Sequence, residues 1–185
     1  MGNAVTTSYL KDATELFHSY KTLAERAMAQ CPDQHLCTAL DAESNSIAVL
    51  VKHLAGNMRS RWIDFLTTDG EKPGRQRDTE FENLPATRGE LHQLWEQGWQ
   101  CLFDAMDSLT DADLHKTVTI RQTPYSVLQA INRSLTHYAQ HAGQIVFLSK
   151  HFAVIATGEW KSLSVPRARS GQVTAAVAAG EKKER

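Results

Sequence analysis

The chain has 185 residues, 42% of them hydrophobic, enough for a single domain to bury a substantial core without disulfide support. Twenty basic against 21 acidic side chains leave a formal net charge of −1, so no broad field favours nucleic acid or an anionic membrane. Residues 1–10 lack the basic stretch and apolar run of a secretory signal, no apolar run reaches the roughly 18 residues that span a bilayer, and Cys31, Cys37 and Cys101 form no CxxC pair; together these predict a cytoplasmic protein with reduced, structural thiols.

Four segments carry the helical period. The first covers residues 8–30, with Tyr9, Ala13, Leu16, Tyr20, Leu23 and Ala27 on one face, and Pro32 ends it by removing an amide donor. The second covers residues 40–66, with Ile47, Val51, Leu54, Met58, Trp62 and Phe65 as its stripe; at 1.5 Å per residue it is roughly 40 Å long. Residues 67–85 hold Asp69-Gly70, Pro73-Gly74 and the mixed charges Arg75, Arg77, Asp78 and Glu80, which predicts a long exposed loop. Loops of that length are more often functional than short connectors.

Thr87 followed by Glu90 has the spacing of a capping box, so the third helix is expected to start there and run to about residue 108, burying Leu91, Leu94, Trp95, Leu102, Phe103 and Met106. Trp95 and Trp99, four apart, fit the core better than an interface. Residues 117–121 alternate in the manner of a short strand. Thr123 before Pro124 resembles an N-cap with proline at the first helical position, which predicts a fourth helix from there to about residue 152. Beyond residue 153 glycine and proline return, and the tail is expected to lie over the bundle at Trp160 and Leu163 and then to fray. The expected architecture is all-α, an antiparallel four-helix bundle over residues 1–153 with a partly packed extension over 154–185; the long loop between the second and third helices permits a crossover.

The strongest chemical signal is His137-Tyr-Ala-Gln-His141 in the fourth helix. Residues four apart share a helix face about 6 Å apart along the axis, so both imidazoles can address one ion, and imidazole suits zinc, nickel and similar divalent metals. Such a pair alone also fits two solvated or hydrogen-bonded histidines. The apolar neighbours Leu135, Tyr138, Ile145, Val146 and Leu148 make an unpartnered imidazole costly there. His53, in the middle of the second helix, is the best placed third ligand, although a lone histidine on an apolar face is more often a packed core residue than a ligand. Three protein ligands would leave a coordination position open.

These stretches resemble the DinB-like superfamily, the group containing bacillithiol transferases and mycothiol-dependent maleylpyruvate isomerases, and in particular its uncharacterised bacterial branch. The resemblance covers roughly residues 8–166 and is most specific at Leu40-Asp-Ala-Glu-Ser-Asn-Ser-Ile47, Val51-Lys-His-Leu-Ala-Gly-Asn-Met58, Asp69-Gly-Glu-Lys-Pro73 and His137-Tyr-Ala-Gln-His-Ala-Gly-Gln-Ile145. It implies a four-helix bundle in which His53, His137 and His141 ligate a metal, zinc or nickel first, manganese or iron next. It also implies thiol-dependent S-transfer or related detoxification chemistry, with a low-molecular-weight thiol and an electrophile as partners, and a homodimer. The alternative is a non-catalytic metal- or small-ligand-binding dimeric bundle.

Helix geometry offers Asn57, one turn after His53, and Gln144, three residues after His141, as groups that could orient an imidazole or a metal water. Glu43 and Asn45 lie too far along the axis to ligate but could line the pocket mouth. Cys31, His35 and Cys37 match no zinc module, and His18, His92, His115 and His151 have no partner at ligand spacing.

Overall fold

The computed structural model describes residues 8–166 and 168–180. The chain folds into α1 (Tyr9–Met28), α2 (Ile47–Trp62), α3 (Arg88–Asp107), a hairpin of β1 (Thr117–Ile120) and β2 (Thr123–Ser126), α4 (Val127–Thr157) and a short α5 (Ser170–Ala178). Each long helix starts at a hydroxyl. Ser8, Ser46, Thr87 and Ser126 accept from the amides of Lys11, Val49, Glu90 and Gln129, which satisfies donors that a helix start leaves free. The expected box of Thr87 and Glu90 is present. At the other end of α4, Gly158 takes the left-handed conformation at φ 74° that closes a helix.

Several boundaries differ from expectation: α2 ends at Trp62 rather than near residue 66, with residues 63–66 in a turn, and α4 runs on to Thr157 rather than to about residue 152. Residues 40–45 do not extend α2, because the Asp41 carboxylate accepts from the amides of Glu43 and Ser44 and holds a local turn that competes with helix. Residues 123–126 do not open α4, because they pair antiparallel with β1, Val118 opposite Tyr125 and Thr119 opposite Pro124. The hairpin turn puts Arg121 and Gln122 at φ 53° and 62°, unusual for residues other than glycine. Asp69 supports it by accepting from both of their amides, at 2.8 and 2.7 Å, and from that of Glu71 at 2.7 Å. Those amide bonds, from Glu71 first and then Gln122, hold the Asp69 carboxyl far below the usual range. The loop after α2 and the hairpin before α4 are thereby tied into one unit beside the helices.

α1 packs chiefly along α4, and α2 along α3. The stripe expected for α2 is buried throughout, and Trp95 and Trp99 are core residues. α1 is rotated slightly from its expected face: Leu10, Ala13, Phe17, Ala24, Ala27 and Met28 point inward, and Leu16 is exposed. Phe17 sets that rotation by reaching Trp62 of α2, Trp99 of α3 and Tyr138 of α4, with ring centroids 6.4, 6.4 and 5.8 Å away. After α4 the chain packs back on the bundle, with Leu163 buried, Trp160 half-buried and Lys161 hydrogen-bonded to Gln30. Among the described residues no helix is long and apolar enough to cross a membrane.

Candidate metal centre

The crossing of α2 and α4 brings the three histidines together. Nε2 of His137 lies 3.3 Å from Nε2 of His53 and 3.0 Å from Nε2 of His141, and one nitrogen of each ring falls within 4.8 Å of the other two. His53 is buried and the other two are half-buried. Four residues along α4 supply the pair, and the middle of α2 supplies the third ring.

Two of the rings are held from behind. Nδ1 of His53 donates to Oε2 of Glu80 at 2.8 Å, and Nδ1 of His141 donates to Oε1 of Gln144 at 2.6 Å. Glu80 is itself buried and fixed by Arg75, whose Nε and Nη2 donate to its two oxygens at 2.8 and 3.1 Å. Burial raises the Glu80 carboxyl, but the hydrogen bonds and charges of His53 and Arg75 outweigh it and hold the group below the usual carboxylate range. Room for this carboxylate exists because residue 56 is glycine: a Cβ there would stand 2.5 Å from Oε1 of Glu80.

The donor set fits a divalent cation. In neutral imidazole, donation from Nδ1 leaves Nε2 as a bare lone pair. His53 and His141 therefore both aim lone pairs at Nε2 of His137, which has one proton at most to offer. One electrophile between the rings satisfies all three. Tetrahedral ligands about 2.0–2.1 Å from zinc stand about 3.3 Å from each other, close to the spacings seen. A carboxylate behind His53 and an amide behind His141 are the customary support for a ligating imidazole.

Burial lowers the pKa of His137 to about 3, with smaller contributions from His141, His53, Arg61 and Arg133. Burial also lowers that of His141, against the hydrogen bond to Gln144. Both rings are thus neutral near pH 7. The unfolded chain takes up protons on them near pH 6.5, whereas the folded chain resists until well below that. The metal-free protein should therefore lose stability as pH falls from about 6.5 towards 3. The His137→Gln, His141→Gln double variant should show a shallower loss in chemical denaturation series across that range; an equal slope in both proteins would refute this.

Replacing Glu80 by glutamine should weaken metal binding about 10–100-fold, the usual cost of losing a support behind a ligand. Gly56→Ala, which pushes the same carboxylate away, should act in the same direction. Zinc titration calorimetry decides, and affinities unchanged in both variants would separate Glu80 from the site.

The other expected residues divide. Gln144 accepts from Nδ1 of His141. Asn57 makes no hydrogen bond to a histidine among the described residues: its Oδ1 accepts from the Tyr138 hydroxyl at 3.1 Å, which in turn accepts from Nε1 of Trp62 at 3.0 Å. It lines a cavity of about 320 Å³ that opens beside His53 and His137. Glu43 and Asn45 are exposed before α2 and are not on that cavity's wall. Cys31, His35 and Cys37 do not converge; the Cys31 thiol is buried, and His35 stacks on Phe152. A second group, Glu25, His92 and Glu96, does converge, but Lys21 pairs with both carboxylates and already supplies their cation. Sequence reasoning missed Glu80 and Arg75 by placing residues 67–85 in solvent.

The bundle and the inward-facing histidines define the class: a four-helix bundle with a three-histidine group able to take a metal. The chain belongs to the DUF1572 family, described as proteins of unknown function, whose profile matches residues 4–169. Among solved structures it is similar to YfiT from Bacillus subtilis, described as a probable metal-dependent hydrolase with an unusual four-helix bundle topology. The match has a TM-score of 0.60 at 17% identity and covers 82% of this chain and 93% of that one. Comparison with curated proteins finds no match.

Proposed function

We propose that this protein is a metal-dependent enzyme in which His53, His137 and His141 hold one divalent cation, zinc or nickel in the first place, and that its reaction joins a low-molecular-weight thiol to an electrophile. The observation that carries the reading is the meeting of three Nε2 atoms, two with their Nδ1 protons committed to Glu80 and Gln144, beside an open cavity. Bound there, the metal would supply Lewis acidity that makes a thiol or a water nucleophilic near neutral pH. Glu80 keeps the His53 proton on Nδ1, and Gln144 does the same for His141, so both rings stay turned towards the ion.

The residues around the cavity favour a thiol over water. No aspartate or glutamate stands on its wall, and Glu80 is already engaged by His53 and Arg75, so no free carboxylate is placed to take a proton from water. A thiol ionises near pH 8.5 and needs less help. Cys31, Cys37 and Cys101 are absent from the wall, so the thiol must come from a second substrate. Hydrolysis at the same centre is the second reading, favoured by the description of YfiT.

Protein purified without a histidine tag should carry about one metal equivalent per chain by elemental analysis. Turnover in a matrix of small thiols and electrophiles should require both the thiol and the metal. Turnover of esters or amides without thiol would select hydrolysis. Metal retention with no turnover in either assay would leave a metal-binding bundle, and no retention at micromolar zinc would remove the centre itself.

A further inference from the structure

The cavity beside the histidines is walled by guanidiniums. Arg61, Arg75, Arg77, Arg121 and Arg133 all line it, in a chain whose net charge is −1. They come from four separate places: the end of α2, the following loop, the hairpin turn and α4. Arg61 and Arg75 are nearly enclosed, their side chains 9% and 6% exposed. Gathering like charges round a partly enclosed space is unfavourable unless an anion meets them.

The protein's own carboxylates meet only three of them, the enclosed Arg61 and Arg75 and the exposed Arg121. Glu71 is shared by Arg61, Arg75 and Arg121 at 3.1, 3.6 and 2.9 Å, and Glu80 is held by Arg75. Neither acid lines the cavity. Arg77 and Arg133 have no carboxylate within 4.0 Å among the described residues. Arg133 lies one turn before His137, with its guanidinium 5.9 Å from the centre of the Tyr125 ring, a contact that orients it while leaving its donors available. Asn57 adds an amide: its oxygen is taken by Tyr138, which leaves the NH₂ for a ligand.

We propose that this cavity binds the oxyanion group, carboxylate or phosphate, of a small-molecule substrate, with Arg77 and Arg133 as the contacting cations and Arg61, Arg75 and Arg121 as the field behind them. Guanidinium is the side chain that pairs with such groups through two parallel hydrogen bonds. The volume suits a small molecule. Its role as a substrate subsite rests on the metal-dependent reading above: an anion anchored here would present the rest of the molecule to the three imidazoles.

Calorimetry on the full chain tests it, using zinc-loaded and chelator-stripped protein with inorganic phosphate, succinate and neutral succinamide as probes. At least one anion should bind the stripped protein, weaken with added salt, and lose about tenfold or more in affinity in Arg133→Gln and in Arg77→Gln, while succinamide does not bind. Phosphate and succinate tell the two chemistries apart. No anion binding, binding that needs zinc, or equal affinity in the Arg77→Gln, Arg133→Gln double variant would overturn the proposal. Zinc titration of the same proteins keeps the two readings separate: wild-type zinc binding without anion binding ends only the anion subsite, whereas anion binding without zinc binding ends only the metal centre.

Discussion

Replacing His137 by alanine should abolish tight metal binding, lowering zinc affinity by more than about 100-fold, beyond the range expected for losing a supporting group behind a ligand. His137 is the central ring, within 3.3 Å of one neighbour and 3.0 Å of the other, so its removal leaves two imidazoles with nothing between them. It is also the cleanest of the three to remove. His53→Ala would strip the buried Glu80 of one of its two partners, and a lost fold could be mistaken for a lost ligand. His137 makes no hydrogen bond outside the cluster among the described residues, so the alanine variant should keep the far-ultraviolet dichroism and cooperative melting of the metal-free parent. Zinc titration calorimetry with both proteins reads the effect, and wild-type affinity in the variant would refute the three-histidine centre. Any turnover found for the parent should disappear with the metal.

Much of this centre was legible in the sequence because helices repeat. His137 and His141 needed only the four-residue spacing to share a face, and Gln144 needed only one further turn. The start of α3 was equally local, since Thr87 and Glu90 cap each other across three residues. What was not legible depends on contacts between distant segments. Glu80 reaches His53 across 27 positions, from a charge run that looks solvated; it is buried because Arg75 neutralises it and Gly56 leaves space for it. The second strand of the hairpin escaped notice for a similar reason. Arg121 and Gln122 carry no glycine to announce a turn with positive φ, and the carboxylate that supports them is Asp69, more than 50 positions earlier. Thr123-Pro124 then read as a helix start, which the pairing with β1 overrides.

Phe17→Ala should produce the largest loss of stability, about 3–5 kcal/mol for removing a fully buried aromatic ring. That is a large share of the roughly 5–15 kcal/mol typical of a folded domain. The cost arises because Phe17 is the point where all four long helices meet: its ring touches Trp62, Trp99 and Tyr138 while its backbone belongs to α1. A cavity there has rigid aromatic walls on three sides and cannot collapse easily. The consequence should extend to the metal centre. Tyr138 is the residue next to His137, and its hydroxyl links Trp62 of α2 to Asn57 at the cavity, so the Phe17 ring packs against the contact that sets α4 relative to α2. Denaturant titration of the metal-free protein measures the first effect. Zinc affinity under conditions where the variant remains folded measures the second, and should fall even though Phe17 touches none of the three histidines. A stable Phe17→Ala protein, losing less than about 1 kcal/mol, would show that the helices are held together elsewhere and that the spacing of His53 from His137 does not depend on this aromatic junction.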